Sequence, residues 1–129
     1  MRFMMIVKAN AESEAGLPPS PALMEAVGKL AEEGFQQGIM IDSGGLAPSA
    51  TGARVLVKGG KVTVVDGPFA EAKELVGGYA IMELPSREAA IEQGRRFMQL
   101  HRDVMGPGYE GELEIRQLFG AAELAPAQQ

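Results

Sequence analysis

Two runs in this chain carry apolar side chains at both parities of a strand: Phe3-Met4-Met5-Ile6-Val7 and Tyr79-Ala80-Ile81-Met82. Successive side chains of a strand point to opposite faces, so a strand with one wet face alternates between apolar and polar residues. These two do not alternate, and each is too short to stand as a helix of its own. The chain must therefore build a sheet that is covered on both sides. Lys8 shares parity with Met4 and Ile6, which puts its ammonium either at the end of one sheet face or in solvent as a strand-end charge. A later run, residues 112–119, alternates with period two. Leu113, Ile115 and Gln117 fall on one face; Glu112, Glu114, Arg116 and Leu118 fall on the other.

Helices supply one cover. Ser20-Pro21 is a helix entry, with serine as N-cap and proline at the first helical position, and the helix should end near Gly38. Leu23, Met24, Val27, Leu30 and Phe35 form an apolar stripe that reads as core. Glu25 and Lys29 make a favourable pair one turn apart. Ser86 caps a second helix that runs to about Val104 and is ended by Gly106-Pro107-Gly108. His101, the only histidine, falls on its apolar face and reads as a packed or capping residue. Residues 11–19 read as a loop. Residues 39–42 read as a second strand, broken by Ser43-Gly44-Gly45-Leu46. There Asp42 and Ser43 either bond a ligand or close a turn. Residues 54–58 and 61–65 are β-branched runs about Gly59-Gly60, a strong hairpin signal.

The element order is β-α-β, hairpin, turn, β-α-β. This predicts an α+β chain of the ferredoxin-like βαββαβ type with an extra β-hairpin. Two helices would lie on one face of a four-stranded antiparallel sheet. A second copy is expected to seal the other, giving a homodimer in the form of a dimeric α+β barrel. Charged side chains entering that sealed face would line a cavity, and buried charge is costly unless paired or used. Lys8, Glu114 and Arg116 are ligand-binding candidates on that ground.

The hairpin delivers the chain to Asp66-Gly67-Pro68-Phe69-Ala70-Glu71-Ala72-Lys73-Glu74. Asp66 can bond its own downstream backbone, Gly67 can take positive φ, and Pro68 pre-sets a helical φ. Residues 71–76 fit one or two helical turns, stopped by Gly77-Gly78. Two readings compete. In one, Asp66 is a catalytic general acid/base, Lys73 polarises an anionic or carbonyl substrate, and Phe69 walls the pocket. In the other, Asp66 only caps the turn, Phe69 anchors it and Lys73 is solvated. Arg54, at the hairpin start, is either an anion contact or a solvated charge.

Composition narrows the function classes. With 129 residues the chain is one domain over residues 1–120, with a tail over 121–129 rich in Ala, Pro and Gln and expected to fray. A net charge of −5 disfavours nucleic acid while permitting a protein partner. The absence of cysteine and the single histidine leave little to hold a metal, and no cofactor site is expected. No run is long enough to span a membrane, and the opening residues lack a signal-peptide cleavage region, so a cytoplasmic location is expected.

The run from Asp66 to Glu74, followed by Gly77-Gly78-Tyr79, resembles the signature of the DGPF-domain proteins of the YCII-related superfamily. The resemblance takes in the Met-rich opening strand, Gly44-Gly45-Leu46, the hairpin before Asp66, and Glu114-Ile115-Arg116. It implies a dimeric α+β barrel with a cleft in which the Asp66 turn takes part. Some YCII-like relatives are small-molecule lyases using a His–Asp pair, and some DGPF domains accompany sigma factors. The resemblance thus implies a small-molecule-binding protein with lyase-like or other acid/base chemistry. The alternative it carries is a non-catalytic ligand-binding or regulatory module associated with transcription proteins. This chain has no histidine near its first helix or second strand, where the His–Asp relatives carry theirs, and His101 occupies a different element. Where family members commonly have Gly-Glu-Gly-Leu, this chain has Ser43-Gly44-Gly45-Leu46.

Overall fold

The computed structural model describes residues 1–71 and 74–120. Lys73 and residues 121–129, which carry the fraying expectation, lie outside the described residues. The elements are β1 (Arg2–Lys8), α1 (Ala11–Glu14), α2 (Pro21–Gln36), β2 (Met40–Gly45), a short 3-10 turn (Ser49–Thr51), β3 (Ala53–Lys58), β4 (Lys61–Asp66), β5 (Val76–Glu83), α3 (Arg87–Met105) and β6 (Leu113–Leu118). This is an α+β fold with two antiparallel sheets. The larger has strand order β2-β5-β1-β6; β3 and β4 form a separate ribbon.

The unbroken apolar run of β1 puts it at the centre of the sheet, between β5 and β6. Met5 pairs with Ala80 on one side and Ile115 on the other. Phe3 and Met5 point to the helix side, where they form the buried core with Leu84 and Ala90. Leu113, Ile115, Ala80 and Met82 pack around that core. Met4, Ile6 and Lys8 point to the opposite side, which no helix covers among the described residues. Ser20 and Ser86 cap α2 and α3 as the sequence predicts, each side chain accepting a backbone N–H three residues on.

Four expectations are corrected. Residues 10–14 are not plain loop: Asn10 and Ser13 form a reciprocal capping box that starts α1. The second strand does not break at Ser43; β2 runs through Gly45, pairing Gly44 with Tyr79 and Gly45 with Gly78. The helical turns expected over residues 71–76 fall partly outside the described residues; Glu74 N–H donates to Glu71 O at 2.9 Å, a 3-10 bond, and the segment has turned to strand by Val76. Val76, Gly77 and Gly78 belong to β5, because backbone bonds from Ala9 N–H to Leu75 O (2.8 Å) and from Leu46 N–H to Gly77 O (2.9 Å) draw that segment into the sheet. The α2 stripe is only partly core: Leu23 is buried, but Met24 and Phe35 are 56% and 48% exposed.

Gly59 and Gly60, with φ of 59° and 77°, make the two-residue turn that matches the twist of a hairpin. The ribbon they close packs extensively on no other element among the described residues. Val55, Val57, Val62 and Val64 share one of its faces and stand 64–77% exposed.

Candidate functional site

One end of the larger sheet gathers most of the chemistry. β1 leaves it at Lys8, β2 leaves it at Gly45, and β5 and β6 enter it at Val76 and Leu113. The loops there carry α1, the 3-10 turn, the root of the hairpin and the Asp66 turn.

On the uncovered face at this end, Lys8 Nζ lies 3.1 Å from Glu114 Oε1, and Arg116 Nε lies 3.8 Å from Glu114 Oε2. Two cations therefore share one carboxylate. Lys8 is the more enclosed partner, with its side chain 19% exposed. The opposite strand pair contributes a second polar couple. The Tyr79 hydroxyl donates to Asp42 Oδ2 at 3.1 Å, and Asp42 Oδ1 accepts the Ser43 N–H at 2.9 Å. The tyrosine reaches its partner by lying over Gly44, where a Cβ would sit 3.0 Å from the ring. The hydrogen bond to a carboxylate holds the phenol pKa above its ordinary value, the charge of Asp42 adding to the same effect. Met4, Ile6 and Ile81 fill the face between these couples.

A bracket of three segments braces the Asp66 turn. Glu14, at the end of α1, accepts from the Ser49 N–H at 2.9 Å and from the Ser49 hydroxyl. Ser49 Oγ in turn accepts the Phe69 N–H at 3.0 Å. The Ser49 bonds hold the Glu14 carboxyl below its usual range. Gly67 N–H donates to Gly52 O, and the Gly67 backbone lies so close to Ser49 O that no Cβ fits. The Gly67–Pro68 peptide bond is cis. The Arg54 guanidinium stacks 3.8 Å over the Phe69 ring, so the arginine is neither free nor simply solvated.

This geometry corrects the capping account of Asp66. Downstream of it the Phe69 N–H is held by Ser49, and Asp66 is exposed, with no side-chain hydrogen bond among the described residues. Lys8, Glu114 and Arg116 come together as one cluster. Phe69 and Asp66 stand at the same end of the sheet, in the bracketed loops. Ser43 does not join the cluster: its register opposite Ala80 places it on the helix side, at the wall of a cavity of about 550 Å³. Glu14, Ser49 and Tyr79 were missed as site residues. The capping pattern Asn10-x-x-Ser13 was a legible signal for the element that carries Glu14. No local pattern announced Ser49, whose partners lie 35 and 20 residues away.

Among the described residues no group of three histidine, aspartate or glutamate side chains could hold a metal ion, and no helix is long and apolar enough to cross a membrane. No curated protein matches the chain. The YCII-related domain matches residues 1–100, which includes Lys8, Ser43, Asp66, Phe69 and Lys73 and leaves Glu114 and Arg116 beyond the match. Spanning β1 to most of α3, that match makes the chain a member of the YCII-related domain family.

Proposed function

We propose that the protein is a homodimeric, ferredoxin-like α+β barrel that binds a small organic anion at the polar end of its uncovered sheet face. The strand order β2-β5-β1-β6, with both long helices on one side, supports the ferredoxin-like reading. Met4, Ile6 and Ile81 on the other side, and the exposed valines of the hairpin, support closure by a second copy. The observation that carries the reading is the Lys8–Glu114–Arg116 cluster: two cations against one carboxylate, on an apolar face, leave positive charge for an anionic ligand.

Asp66 is the acid/base candidate in this reading, because Ser49 does its capping work and leaves its carboxylate uncommitted. Lys73, in the same sequence motif, is the candidate to polarise a carbonyl. Phe69, held under Arg54, walls the approach.

The test uses pyruvate as probe, a small anion with a carbonyl. Amide shifts of the native chain should move at Lys8, Tyr79 and Arg116 on titration, and Lys8→Met should abolish them. A positioned base should also speed exchange of the methyl protons of pyruvate in deuterium oxide. Asp66→Asn should then keep binding and lose exchange. Binding without exchange in the native chain would leave a ligand-binding module and end the catalytic role of Asp66. Absence of binding would end the site.

A further inference from the structure

On the other side of the sheet, under α2, lies a cavity of about 550 Å³ that the proposed anion site does not use. Its wall is mostly aliphatic and aromatic, with Val7, Leu23, Leu30 and Phe97, and Glu33 and Arg96 also line it. Interiors normally pack to the density of organic crystals, and a hollow of this size falls in the range of small-molecule sites. Apolar hollows also bind apolar molecules in preference to water. Among the described residues one ion pair bridges the long helices, Arg96 to Glu33 at 3.9 Å, and both of its side chains are exposed.

Among the described residues a single buried polar side chain lines this cavity. His101 is 7% exposed and lines the cavity. Its ring is held between Phe97 and Tyr109, with centroids at 4.4 and 5.6 Å. Nδ1 lies 2.8 Å from Phe97 O. A carbonyl only accepts, so Nδ1 carries the hydrogen and, in the neutral ring, Nε2 is an acceptor. Nε2 makes no hydrogen bond among the described residues, yet no buried side-chain polar atom there is sealed without a partner. The nitrogen therefore meets open space.

We infer that the cavity between α2 and the sheet is a second binding site, for an uncharged apolar molecule carrying one hydroxyl that donates to His101 Nε2. The apolar wall favours the uncharged form, since Arg96, a cation that lines the cavity, is already paired with Glu33. One acceptor selects for one donor.

The probes are 1-naphthol and its methyl ether, 1-methoxynaphthalene, which keeps the rings and removes the donor. Fluorescence titration of the full chain should show naphthol bound roughly two- to tenfold more tightly than the ether. His101→Phe should erase that preference while keeping ether binding, and Leu30→Trp, which fills the cavity, should weaken both. Failure of either probe to bind the native chain, or a naphthol preference that survives His101→Phe, overturns the inference. If His101→Phe does not fold, the native chain still decides: the Nε2 nitrogen resonance of His101 should move with naphthol and not with the ether, and an unmoved resonance refutes the site. Loss of anion binding in Lys8→Met should leave naphthol binding intact, which keeps the two sites separable.

Discussion

Gly28 and Gly94 sit inside α2 and α3, and replacing each by alanine should shift stability in opposite directions. In a helix interior alanine is favoured over glycine by about 1 kcal/mol, whatever the surroundings. A Cβ at Gly28 meets nothing within 4 Å, so Gly28→Ala should realise that gain in full. A Cβ at buried Gly94 would sit 2.9 Å from Ile115 Cδ1 and 3.0 Å from Leu113 Cδ2, closer than ordinary contact. Those side chains belong to the packed layer around the core, so α3 must lift from β6 or the methyls must leave their rotamers. Overpacking of this kind costs about 1–3 kcal/mol, which exceeds the helix gain and leaves a net loss of about 1 kcal/mol. For a chain of this length each kcal/mol moves the unfolding midpoint by roughly 3–5 °C. Scanning calorimetry at fixed protein concentration should place the two variants on either side of the native midpoint, about 8 °C apart. A Gly94→Ala variant as stable as Gly28→Ala would refute the close seating of α3 on β6.

Three further outcomes follow from the polar contacts. Ser49→Ala removes the acceptor of the Phe69 N–H, a bond of about 1 kcal/mol, and the Phe69 amide should exchange with solvent faster while amides of β1 keep their protection. The Glu14 carboxyl is held below the ordinary glutamate value of 4.5, so its contribution to stability is present above that pH and is lost as pH falls through the lower folded value. Glu14→Gln should flatten that part of the acid unfolding curve, and an unchanged curve would count against the Ser49 bonds. The Tyr79 phenol is held above the ordinary tyrosine value of 10.0, so its contribution is present below that pH and is lost as pH rises through the higher folded value. Asp42→Asn should bring the phenolate transition in the ultraviolet spectrum back towards lower pH.

The parts of the fold that could be read from the chain are those fixed by neighbours in sequence. Ser20-Pro21 and Ser86 mark helix starts because a cap acts within three residues, and Gly59-Gly60 marks a hairpin because the turn closes on itself. The Asp66 turn was misread because its decisive partner is remote. With Ser49 holding the Phe69 amide and Leu75 and Gly77 bonded to neighbouring segments, the chain turns to strand at Val76, earlier than the Gly77-Gly78 stop suggested. Gly44 looked like a strand breaker, yet it is tolerated in β2 because the Tyr79 ring lies over it. Lys8, Glu114 and Arg116 could be placed on one face by parity alone, since parity survives any error in strand ends. Ser43 could not, because an irregularity between Met40 and Asp42 changes the register of β2. The helix-side cavity had no sequence signal: the stripe of α2 reads as core whether or not the sheet rises to meet it.

The account rests on a second copy covering Met4, Ile6 and Ile81. Sedimentation equilibrium at low micromolar concentration measures this directly. The account predicts twice the chain mass of 13.6 kDa, reduced to the single-chain mass by Ile6→Glu with the helical signal retained. A native chain that sediments at 13.6 kDa across that range would contradict it.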